Sequence, residues 1–193
     1  MYSFFVRLLR GIIILFSGLE VHGLENIPDQ GGAVIAANHV SLLDPVVLGC
    51  SIKRPIHFMA KAELFKNPFL NWLFSKLYAF PVRRGMADRE AIRTAIQRLE
   101  LGNLLGVFPE GTRSKELQEI HNGAALFGLK ANVPIIPVYM HNTDFLKFRR
   151  KISVYIGQPI IPKADAKTNK TELLAISNQI AEQFSLLNRK ESP

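Results

Sequence analysis

Short apolar runs alternate with helix-type patterns along this chain of 193 residues. Runs rich in apolar and β-branched residues predict strands over residues 33–37, 56–60, 79–82, 104–108, 133–139 and 152–156. Apolar residues spaced by three and four positions predict helices over residues 44–52, 67–78, 88–99, 122–130 and 173–187. Because strands alternate with helices, the chain is predicted to form one α/β domain, with its active residues where strands give way to loops.

The first 19 residues have a different pattern. Their longest charge-free apolar stretch, residues 11–19, has only about half of the roughly 20 residues that a membrane-spanning helix needs. Arg7 and Arg10 fall on one helical face. We expect residues 1–19 to form an amphipathic, membrane-associating helix and residues 20–193 to form the α/β domain. A helix packed into the core and a cleaved signal peptide are the alternatives.

Composition narrows the class of partner. The chain carries a net charge of +8 with 48% hydrophobic residues and a mean hydropathy of +0.11, which excludes low-hydrophobicity disorder. Excess cations combined with excess apolar residues favour a membrane surface or a phosphorylated lipid over nucleic acid. Cys50 is the single cysteine, which excludes an intramolecular disulfide and a cysteine-based metal site and favours a reducing cytosol.

A histidine and an aspartate follow the first predicted strand. The segment NHVSLLDP (residues 38–45) places His39 just past the strand end and Asp44 at the start of a helix. Such a loop can fold back so that Asp44 orients one imidazole nitrogen while the other removes a proton. No G-x-S-x-G motif occurs and Cys50 lies in an apolar helix, so the nucleophile would be a hydroxyl or water of the substrate. An N-cap beside an incidental histidine, or a His/Asp metal site, fits the same residues.

The segment FPEGTRS (residues 108–114) follows another predicted strand. Gly111 permits left-handed backbone angles that bring N–H groups close to an anion, and Arg113 offers a planar fork for a phosphate. The spacing from Gly106 to Gly111 matches a P-loop, but Thr112-Arg113 stands where Lys-Ser/Thr is required, which argues against nucleotide hydrolysis. A solvated turn with an exposed arginine is the alternative.

Cations and aromatic residues are concentrated in two further places. Arg83 and Arg84 follow a predicted strand, and paired like charges at a pocket favour an anionic ligand such as phosphate. The basic cluster over residues 147–151 is typical of a surface that meets lipid headgroups or an acidic partner. Between Phe58 and Phe80 the aromatic residues either pack in the core, line an acyl groove or enter a membrane.

Four sequence blocks together resemble the bacterial 1-acylglycerol-3-phosphate acyltransferases, within the wider glycerolipid acyltransferases. NHVSLLDP is similar to the family's His-x4-Asp block, and FPEGTRS matches its third block in full. AFPVRR (residues 79–84) resembles the second block and VPIIPV (residues 133–138) the fourth. The first and third blocks are specific when they occur together.

The resemblance implies a mixed sheet flanked by helices and transfer of an acyl group to lysophosphatidic acid. The donor would be acyl-carrier protein or coenzyme A thioester, with no metal or other cofactor. His39 would take the hydroxyl proton and Asp44 would orient His39, so that the alkoxide attacks the thioester without an acyl-enzyme. The family's phosphate- and glycerol-binding positions fall on Arg84, Glu110, Gly111, Thr112 and Arg113. Lys61 is added to them because of its charge and its place at a strand end.

We therefore expect an enzyme that binds peripherally or monotopically at the cytoplasmic face of the cell membrane. The alternatives are an acyltransferase for another lysophospholipid or for glycerol-3-phosphate, and a non-catalytic protein that binds anionic lipid. Both acyl-carrier protein and coenzyme A are anionic, so a basic protein suits either donor.

Overall fold

The computed structural model describes residues 2–83, 88–111, 120–144, 150–163 and 168–191. Its strands are β1 (Leu19–His22), β2 (Ala33–Ala37), β3 (Ile56–Lys61), β4 (Ala79–Val82), β5 (Leu104–Val107), β6 (Ile135–His141) and β7 (Ile152–Ile156). Its helices are α1 (Tyr2–Phe16), α2 (Asp44–Ser51), α3 (Pro68–Lys76), α4 (Arg89–Glu100), α5 (Gly123–Ala131) and α6 (Lys170–Asn188). The α/β prediction is confirmed.

The seven strands form one mixed sheet in the order β1-β7-β6-β2-β5-β3-β4. From β6 to β4 all neighbours are parallel, whereas β7 runs antiparallel to β6 and is parallel to β1. The carboxyl ends of β6, β2, β5, β3 and β4 therefore meet at one edge of the sheet. The segments that follow these strands hold the predicted site residues, so the topology gathers them at this edge.

Helices cover both faces of the sheet, and each face has its own apolar core. On one face Ile13 of α1 and Val47 and Leu48 of α2 pack over buried residues of the central strands. On the other face α4, α5 and α6 supply buried apolar residues, among them Leu99 and Phe184. The central strand β2 is buried along its whole length, as its continuous apolar run predicts.

The N-terminal region differs from the prediction at its end. Helix α1 stops at Phe16, and Leu19, placed in the helix by the sequence pattern, begins the edge strand β1. Arg10 donates a hydrogen bond from Nη1 to the Cys50 carbonyl at 2.9 Å, which ties α1 to α2. Within the described ranges, no helix combines the length and the apolar character that crossing a bilayer requires.

The opposite, amino-terminal edge of the central strands is held by one arginine. Arg54 donates to the carbonyls of Pro28 at 2.6 Å, Gly31 at 2.8 Å and Gly102 at 2.6 Å. These carbonyls belong to the loops that precede β2 and β5, and Arg54 itself precedes β3. One guanidinium thus joins the entry points of three adjacent strands.

Candidate active site

His39 and Asp44 meet where β2 gives way to α2. The Nδ1 of His39 lies 2.7 Å from the Oδ2 of Asp44, and both side chains are buried. The backbone N–H groups of Val40 and Ser41 donate to the same carboxylate oxygen at 2.7 and 2.8 Å. A carboxylate only accepts hydrogen bonds, so Nδ1 carries the proton and Nε2 is left as the acceptor. This arrangement prepares Nε2 to act as a base.

The geometry also tests the interpretation of Asp44 as a helix N-cap. The N-cap position of α2 is occupied by Leu43, and no side chain caps this end of the helix. The carboxylate of Asp44 turns back to the loop instead, so the N-cap interpretation is wrong. In the part of the chain that the structure describes, no three His, Cys, Asp or Glu side chains come together as a metal site.

The imidazole of His39 is supported by the loop after β5. The ring of Phe108 stacks on it with centroids 4.2 Å apart and an interplanar angle of 20°, and Phe58 continues the stack beyond Phe108. Sequence reasoning assigned no role to Phe108, although it begins the third block. Its neighbour Glu110 accepts a hydrogen bond from the backbone N–H of His39 to Oε2 at 3.1 Å. The segments NHVSLLDP and FPEGTRS are therefore in direct contact and form one site.

Asn38 fixes the point at which the chain leaves β2. Its side-chain amide donates to the Met140 carbonyl at 3.0 Å and accepts from the Met140 N–H at 2.7 Å. This pair extends the hydrogen bonding between β2 and β6 by one side chain. Sequence reasoning gave Asn38 no role; its only signal was a polar residue ending a strand of five apolar ones.

The carboxyl group of Glu110 lies inside the protein, with 3% of the residue exposed. Burial raises its pKa to about 7; the nearby Asp44 adds to this rise, and the His39 N–H opposes it. Gly111 has the predicted left-handed backbone, with φ of 69°, and its N–H donates to the Phe108 carbonyl at 3.1 Å. That bond closes the turn after β5.

A cavity of about 280 Å³ opens beside His39. His39, Phe58, Phe108 and Lys61 are among the residues that line it, and most of the other lining residues are apolar. Helices α1 and α2 close it with Tyr2, Val6, Leu9, Val46, Gly49 and Cys50, and Leu64, Phe74 and Leu77 lie on the remaining side. An apolar cavity that begins at a buried base suits a long hydrocarbon chain whose reactive end lies at His39.

The remaining predicted residues fall in different places. Lys61 lines the cavity, and Arg83 is exposed after β4, at the same edge of the sheet. Arg84, Thr112 and Arg113 lie outside the described residues. Burial raises the pKa of Cys50 to about 11, which makes it a poor nucleophile.

The basic cluster over residues 147–151 is described only from Arg150. Arg150 pairs with Asp144 at 3.5 Å, and Lys151 pairs with Glu20 at 2.7 Å. Both cations therefore have acidic partners within this chain, and the predicted contact of the cluster with lipid or an acidic partner stays a prediction.

The sequence is similar to those of known acyltransferases. The Acyltransferase family model matches residues 18–141. A 1-acyl-sn-glycerol-3-phosphate acyltransferase of Bacillus subtilis (strain 168) is 33% identical over 187 residues, covering 95% of this chain and 94% of the relative. One from Streptococcus pneumoniae is 29% identical and covers 96% of this chain and 74% of the relative.

The fold has a solved counterpart. The crystal structure of the 1-acyl-sn-glycerophosphate (LPA) acyltransferase PlsC from Thermotoga maritima superposes with a TM-score of 0.76 at 26% identity, covering all of this chain and 82% of that one. The resemblance drawn from the four sequence blocks is confirmed: the chain belongs to the Acyltransferase family.

Proposed function

We propose that this enzyme transfers a fatty acyl group from a thioester to the free hydroxyl of lysophosphatidic acid and so makes phosphatidic acid. The observation that carries the proposal is the buried His39–Asp44 pair at the end of an apolar cavity. It stands in a chain whose relatives from Bacillus subtilis and Streptococcus pneumoniae have this activity in their names.

The reaction needs two proton transfers, one before and one after the acyl group is transferred. Nε2 of His39 removes the proton of the acceptor hydroxyl, and the alkoxide attacks the thioester carbonyl. Asp44 stabilises the imidazolium that forms, because its carboxylate already accepts the Nδ1 proton. The carbon–sulfur bond then breaks, and the leaving thiolate takes the proton back from Nε2. The thioester is a co-substrate, and no step uses a cofactor.

The cavity supports the following placement of the substrates. The acyl chain lies along its apolar walls, with the thioester carbonyl beside His39. Lys61 is the cation among the described lining residues, and we assign it to the acceptor phosphate. We assign Arg84, Gly111, Thr112 and Arg113 to binding of the acceptor's phosphate and glycerol as well, on the basis of the sequence blocks alone.

We propose that the enzyme works at the cytoplasmic face of the membrane, bound through α1. Residues on the outer side of this helix expose much of their apolar surface, among them Phe4, Leu8, Ile14 and Leu15. The same helix walls the cavity with Tyr2, Val6 and Leu9. Such a helix can lie in the interface and keep the cavity next to the lipid.

Vesicle binding tests that location. Leu15→Glu places a charge on the 74% exposed position of α1, and Leu101→Glu places it on a 69% exposed position at the end of α4. We expect Leu15→Glu to weaken co-sedimentation with phosphatidylglycerol vesicles, while Leu101→Glu sediments like the wild type. Equal binding by both variants would exclude α1 as the contact.

An activity matrix tests the reaction. The acceptors are lysophosphatidic acid, lysophosphatidylcholine and glycerol-3-phosphate, each with acyl-carrier protein and coenzyme A thioesters, and products are identified by mass spectrometry. We expect phosphatidic acid as the main product, at a rate that EDTA does not change. Intact-protein mass after incubation with thioester alone should show no acylated enzyme. An acylated protein, or a strong preference for another acceptor, would contradict the proposal.

A further inference from the structure

Contacts with both strands next to β2, namely β6 and β5, hold the segment that carries His39. On one side the Asn38 amide bonds to the backbone of Met140 in β6. On the other side β2 pairs with β5 as far as Ala36 and Val107, and the Glu110 carboxylate then accepts the His39 N–H. Each side chain thus continues a strand pairing past the last backbone hydrogen bonds. His39 sits at the point where the sheet would otherwise end.

Glu110 is also poorly placed to bind the phosphate or glycerol group. Its carboxyl group is buried, and Oε2 already accepts the His39 N–H. The sequence blocks placed Glu110 in the phosphate- and glycerol-binding set, but its contacts point towards the base instead of the cavity. Glu110 is not among the residues that line the cavity.

The contact matters because it reaches the backbone N–H of His39 itself. Asp44 holds Nδ1 and the N–H groups of Val40 and Ser41, and Phe108 covers one face of the imidazole. Neither of them contacts the His39 N–H. Glu110 anchors that backbone to the same loop that carries Phe108, so the base and its stacking partner keep a constant relative position. A displacement of about 1 Å in a catalytic group costs on the order of 10²-fold in rate.

We propose that Glu110 is a positioning residue, which holds the backbone N–H of His39 and thereby sets the place of the base. The inference rests on the proposed acyl transfer, and it removes Glu110 from the phosphate- and glycerol-binding set. What matters in this role is an acceptor oxygen at the right distance, and the negative charge is dispensable.

Two substitutions separate distance from charge. Glu110→Gln keeps the side-chain length and an acceptor oxygen but removes the charge. Glu110→Asp keeps the charge but shortens the side chain by one methylene, which moves the oxygen away from the His39 N–H. We expect Glu110→Gln to retain kcat within about threefold and Glu110→Asp to lose roughly 10- to 100-fold in kcat. The KM for lysophosphatidic acid should stay within about twofold in both variants. Glu100→Ala, at an exposed position of α4, is the matched surface control.

The opposite pattern would overturn the proposal. If Glu110→Asp is active and Glu110→Gln is not, the charge is what the site needs. If either variant raises the KM for lysophosphatidic acid more than it lowers kcat, Glu110 binds substrate. Failure of the wild-type enzyme to make phosphatidic acid would instead reject the proposed function, so the two failures are distinct. Urea unfolding of each variant confirms that the kinetics report folded protein.

Discussion

Replacing Asp44 with asparagine separates the charge of the His39–Asp44 pair from its shape. In the wild type, Oδ2 of Asp44 accepts three hydrogen bonds, from the His39 ring and from the N–H groups of Val40 and Ser41. A neutral amide oxygen has two lone pairs, so at least one donor loses its partner. Bonds to a charged acceptor are worth ~1.5–3 kcal/mol and neutral ones ~0.5–1.5 kcal/mol. We expect Asp44→Asn to lower the free energy of unfolding by about 1–3 kcal/mol.

The effect on catalysis should be larger than the effect on folding. Without the carboxylate, the imidazolium formed in the reaction has no counter-charge, and kcat should fall by about 10²–10⁴-fold. The assay is steady-state formation of phosphatidic acid, with urea unfolding of the same preparations and Asp29→Asn as an exposed control. A folded Asp44→Asn enzyme that keeps kcat within about threefold of wild type would refute the base mechanism.

Three further predictions concern stability and the cavity wall. Arg54→Ala removes three hydrogen bonds to carbonyls and should lower the free energy of unfolding by about 2–4 kcal/mol with KM unchanged. The control Arg93→Ala, at an exposed position, should leave the free energy of unfolding unchanged. Equal urea midpoints for the two variants would contradict the prediction. Burial, aided by the charge of Arg98, lowers the pKa of His57 from 6.5 to about 4, so the unfolded chain takes up the proton first as the pH falls. The contribution of His57 to stability should therefore drop by up to roughly 3 kcal/mol from pH 6.5 towards pH 4, and His57→Gln should lack that part of the pH dependence in urea unfolding. The raised pKa of Glu110 acts in the opposite direction in both proteins, so the difference between them is what reports on His57. Gly106→Ala would drive a methyl group into the Phe58 ring, so kcat and the unfolding midpoint should both fall; unchanged values would mean that the ring moves freely.

Local patterns were enough to predict most of the fold. The buried strand β2 and the long helix α6 are encoded by runs and periods that lie within one segment of sequence. Strand β1 was missed because it has only four residues, half of them exposed, at an edge of the sheet. The strand order was also beyond prediction, because it depends on which crossovers place β5 between β2 and β3.

The candidate site divides in the same way. The pairing of His39 with Asp44 could be predicted because both residues lie in one short loop. The stacking of Phe108 and the hydrogen bond to Glu110 could not, because they cross 69 and 71 positions of sequence and depend on β2 and β5 being neighbours. The Arg10 contact was missed for the same reason, since its partner is a carbonyl 40 positions away. Before the structure, the two blocks were linked by the family resemblance and by the expectation that active residues lie where strands give way to loops.

The role of His39 as the base is the central claim, and one measurement tests it most directly. Phosphatidic acid formation is followed for the wild type, for His39→Ala and for His22→Ala, which changes an exposed histidine of β1. We predict that His39→Ala is slower by about 10²–10⁴-fold and that His22→Ala matches the wild type. Turnover by folded His39→Ala at close to the wild-type rate would contradict the mechanism.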